Sequence, residues 1–70
     1  MTETQEKTAK NTYEMFRRHC FKLQTDVNRH DGVAAFLIAK ALMKITLGLK
    51  YYQAESWALN WLAKQDQERR

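Results

Sequence analysis

The sequence predicts one all-α domain, a small three-helix bundle. Three observations lead there. The 70 residues contain no proline and only two glycines. Apolar residues recur at steps of three and four, while β-branched residues never alternate over a strand-length run. Gly32 and Gly48 then cut the chain into three helix-length pieces.

The first piece reads as a helix over about 6–27. Ala9, Tyr13, Phe16, Cys20, Leu23 and Val27 follow steps of four, three, four, three, four. That is a heptad-like seam along one face. Glu3 and Glu6 suit the positive end of the helix dipole, and Lys22 with Asp26 forms an i,i+4 pair on the outside.

The second helix is expected over about 32–47, with Asp31 as its N-cap and Gly48 just past its last turn. At 100° per residue, Leu37, Ala41, Ala34, Ile45, Ile38, Leu49 and Leu42 fill an arc of about 140°. Phe36, Met43 and Leu47 gather on roughly the opposite side, with Ala39 at their edge. Lys40 and Lys44 mark the wet stripe between. A surface helix of a small bundle carries one apolar stripe; this one carries nearly two.

The third helix should span about 50–66. Trp57, Trp61, Ala54, Ala58, Tyr51 and Leu62 share a broad face, and Tyr52, Leu59 and Ala63 extend it. Trp57 and Trp61 stand one turn apart, with Trp57 nearer the polar boundary. The polar run from Gln65 onward should fray.

Composition narrows the function. A chain of this length buries only about 60% of its extended surface, so small domains often lean on disulfides, metals or partner chains. Cys20 is the single cysteine, which removes an intrachain disulfide. The apolar run from Val33 to Leu49 is broken by Lys40, Lys44, Thr46 and Gly48, short of the ~20 residues that span a bilayer. The first residues lack the basic start and apolar stretch of a signal peptide. The expectation is a cytoplasmic protein with no membrane segment.

No catalytic, cofactor or metal signature stands out. Cys20 and His19 are adjacent, so their side chains diverge by about 100° on a helix, and Cys20 belongs to the apolar seam. The spacing of His19, Cys20, His30 and Asp31 matches no zinc pattern. The chain is therefore expected to be no enzyme and to need no cofactor.

The surplus of apolar surface points to contact with another chain. The expected role is a small regulatory or adaptor protein acting by helical contact with a target protein, and a homodimer in its own right. Phe36, Met43 and Leu47 are the candidates for self-association. Arg18, Tyr52 and Trp57 are the candidates for partner binding. The net charge of +4 also permits nucleic acid. The alternative is accordingly a basic dimeric DNA-binding regulator using Arg17, Arg18, Lys22, Lys40 and Lys44.

Overall fold

The computed structural model describes residues 2–68. Three α-helices make up nearly all of it: α1 (Glu3–Lys22), α2 (Asp31–Ile45) and α3 (Tyr51–Glu68). A short 3-10 segment, Val27–His30, leads directly into α2. The all-α three-helix bundle expected from the periodicity is what the chain forms, and none of the described helices is long and apolar enough to cross a membrane.

Each helix boundary has a local cause. Thr2 caps α1 with a reciprocal pair of bonds: the Gln5 N–H donates to Thr2 Oγ1 at 3.3 Å, and the Thr2 N–H donates to Gln5 Oε1 at 3.1 Å. The same Gln5 side chain donates from Nε2 to Thr46 Oγ1 at 2.8 Å. That bond pins the start of α1 to the end of α2, so the two helices run antiparallel.

α1 stops at Lys22, five residues before the expected Val27. Gln24 turns the backbone into the left-handed region at φ 56°. Two reverse hydrogen bonds close the turn, from the Gln24 N–H to the Phe21 carbonyl at 3.1 Å and from the Thr25 N–H to the Cys20 carbonyl at 3.0 Å. Asp26 thus lies beyond the helix. Instead of facing Lys22 across a turn, its carboxylate accepts from the Asn28 N–H at 3.0 Å and caps the 3-10 segment.

Asp31 is the first residue of α2 rather than its cap, and His30 precedes it without a side-chain capping bond. α2 ends at Ile45, two residues short of expectation. Gly48 sits in the following turn at φ 83°, a conformation that costs glycine little. The chain then enters α3, where the Lys50 carbonyl accepts from the N–H groups of Gln53 and Ala54. α3 stays helical through Glu68, past the expected fraying at Gln65. Arg69 and Arg70, the end of that polar run, lie outside the described residues.

α2 is central. It packs against both other helices, while α1 and α3 touch each other little. Tyr13 of α1 meets Trp61 of α3 edge to face, with ring centroids 5.7 Å apart. The core contains Tyr13, Phe16, Cys20, Ile38, Leu42, Trp61 and Leu62, together with Ala9, Ala34, Ala35, Ala39, Ala54 and Ala58. Six of these thirteen residues are alanines, and that sets the packing. Alanine lets helix axes approach closely, which leaves little room inside for large side chains.

The buried stripe of α2 is accordingly turned away from the expected arc. Ala35 and Ala39 are inside, whereas Leu37 and Ile45, both assigned to the core from the wheel, are exposed. Leu23, assigned to the α1 seam, is exposed as well. Val27 and Trp57 pack partly buried against the core.

Candidate interaction groove

Large apolar side chains are more numerous outside this fold than within it. Among the described residues twelve are exposed, including Met15 at 70%, Leu23 at 63%, Val33 at 49% and Leu37 at 38%. These four do not stand singly. They line one groove between the C-terminal half of α1 and the N-terminal half of α2, floored by Phe16 and the buried Cys20. Its volume is about 540 Å³. Thr12, His19, Thr25 and His30 complete the lining.

The groove exists because of where α1 stops. The left-handed turn at Gln24 brings the chain round to the 3-10 segment and then α2. The side of α1 carrying Met15, His19 and Leu23 therefore faces the outer edge of α2 without a third helix over it. Thr25 Oγ1 and His30 Nε2 lie 3.0 Å apart in a hydrogen bond that ties the two sides of this turn. His19, Cys20 and His30 do share the groove. Even so, no group of three or more His, Cys, Asp or Glu side chains among the described residues is placed to hold a metal ion.

Of the residues expected for self-association, Phe36 and Met43 stand seven residues apart on one side of α2, and Leu47 follows beyond the helix end. Phe36 and Met43 are half-exposed on α2. The Phe36 ring is already engaged by Tyr51 edge-on at 6.0 Å and by Lys40 Nζ at 5.2 Å from its centroid. Tyr51 in turn donates its hydroxyl to Glu55 Oε2 at 2.9 Å, and that bond raises its phenol above the ordinary 10.0, with desolvation and the Glu55 charge adding to it. Leu47 is fully exposed, but it sits in the turn after α2. Because the helix has ended, the wheel that grouped it with Phe36 and Met43 no longer applies.

The three residues expected for partner binding are dispersed. Tyr52 is exposed at the start of α3, the end of the bundle where Gln5 meets Thr46. Arg18 is exposed on α1 about 20 Å along the axis from Gln5. Trp57 is half-buried, its ring stacked on Trp61 with centroids 6.4 Å apart and planes 21° from parallel.

Of the basic residues, Arg17, Arg18 and Lys22 border one concavity on the far side of α1, which they share with Phe21, Glu14 and Asp26. Lys40 and Lys44 are exposed on α2 instead, so the five do not converge.

Periodicity misses most of the groove: it puts Leu23 in the α1 seam and Leu37 in the main apolar arc of α2, and gives Val33 to no face. The signal that marks them is the alanine series Ala34, Ala35 and Ala39, which identifies the close-packed line and so rotates Val33 and Leu37 outward. No family model, curated protein or solved structure matches the chain.

Proposed function

We propose that this protein is a small non-enzymatic regulatory or adaptor protein that acts by helical contact with a target protein, and that the groove between α1 and α2 is its contact surface. One observation carries the reading: four large apolar side chains, Met15, Leu23, Val33 and Leu37, stand exposed around a common groove while alanines fill much of the interior. Contiguous exposed apolar surface rimmed by polar groups marks interaction sites. Methionine and leucine side chains adapt readily to a partner's contour. The lone buried thiol of Cys20 suits a reducing cytoplasm, the compartment we assign.

The DNA-binding alternative has less behind it. The concavity holding Arg17, Arg18 and Lys22 also holds Glu14 and Asp26, which would repel phosphate.

A photo-crosslinking amino acid placed at Leu37 tests the reading in the native cell, with the same group at Tyr52 as the comparison. A discrete adduct with another protein from position 37, absent or much weaker from position 52, is the expected result. Equal labelling from both positions, or none from 37, would overturn the assignment of the groove.

A further inference from the structure

We draw no further inference here: the strongest candidate, the apolar groove between α1 and α2 that Met15, Leu23, Val33 and Leu37 line, is the site already described, and nothing in the structure shows what covers it.

Discussion

Gln24 holds a backbone conformation, φ 56°, that costs a side-chain-bearing residue roughly 1 kcal/mol and costs glycine almost nothing. It persists because two hydrogen bonds from Gln24 and Thr25 close the end of α1 over the carbonyls of Phe21 and Cys20. Replacing Gln24 with glycine should therefore raise stability by about 0.5–1 kcal/mol, read as a higher urea midpoint with an unchanged slope. A lower midpoint would mean that the glutamine side chain contributes more than its strain. This residue also explains why the end of α1 was not legible. Stops are read from glycine and proline, and neither is present between Cys20 and Gly32. Gly48 was legible for the converse reason: it is a glycine, it adopts φ 83°, and the structure places the break between α2 and α3 where the sequence suggests one.

At the scale of the element, α2 decides how the bundle is arranged. Its existence, its start near Asp31 and its double apolar character follow from the hydropathy pattern. Its orientation does not, because hydropathy ranks Leu37 and Ile45 above Ala35 and Ala39 while close packing ranks them the other way. Ala35 and Ala39 are almost fully enclosed, and a longer side chain there has to push two helices apart. Ala39→Leu should destabilise the protein by about 1–3 kcal/mol through overpacking. Met15→Ala, at a site 70% exposed, should change stability by no more than about 0.5 kcal/mol. Chemical denaturation of the two variants checks the pair. If the leucine at position 39 were tolerated as easily as the alanine at 15, the alanine stripe would not be what sets the helix spacing.

For the whole molecule, the surplus of large apolar side chains was legible in the sequence, but its location was not. Counting apolar residues against the capacity of a 70-residue bundle shows that some must stay outside. Deciding which ones needs the relative rotation of the helices, and the small residues set that rotation. Phe36, Met43 and Leu47 are exposed as a surplus would be, with Phe36 and Met43 on α2, Leu47 past its end, and the Phe36 ring engaged by Tyr51 and Lys40. Met15, Leu23, Val33 and Leu37 surround one groove. The concentration of exposed side chains there, rather than their number, is what gives the fold a site.

Solvent exposure of individual methyl groups in the isolated chain measures this directly. A soluble paramagnetic agent should relax the methyls of Met15 and Leu23 strongly and those of Val33 and Leu37 to an intermediate degree. The methyls of Ile38 and Leu42, which are almost wholly enclosed, should stay protected. Uniform protection of all six residues in a dilute monomer would mean that the chain covers its own apolar surface and has no open groove to offer.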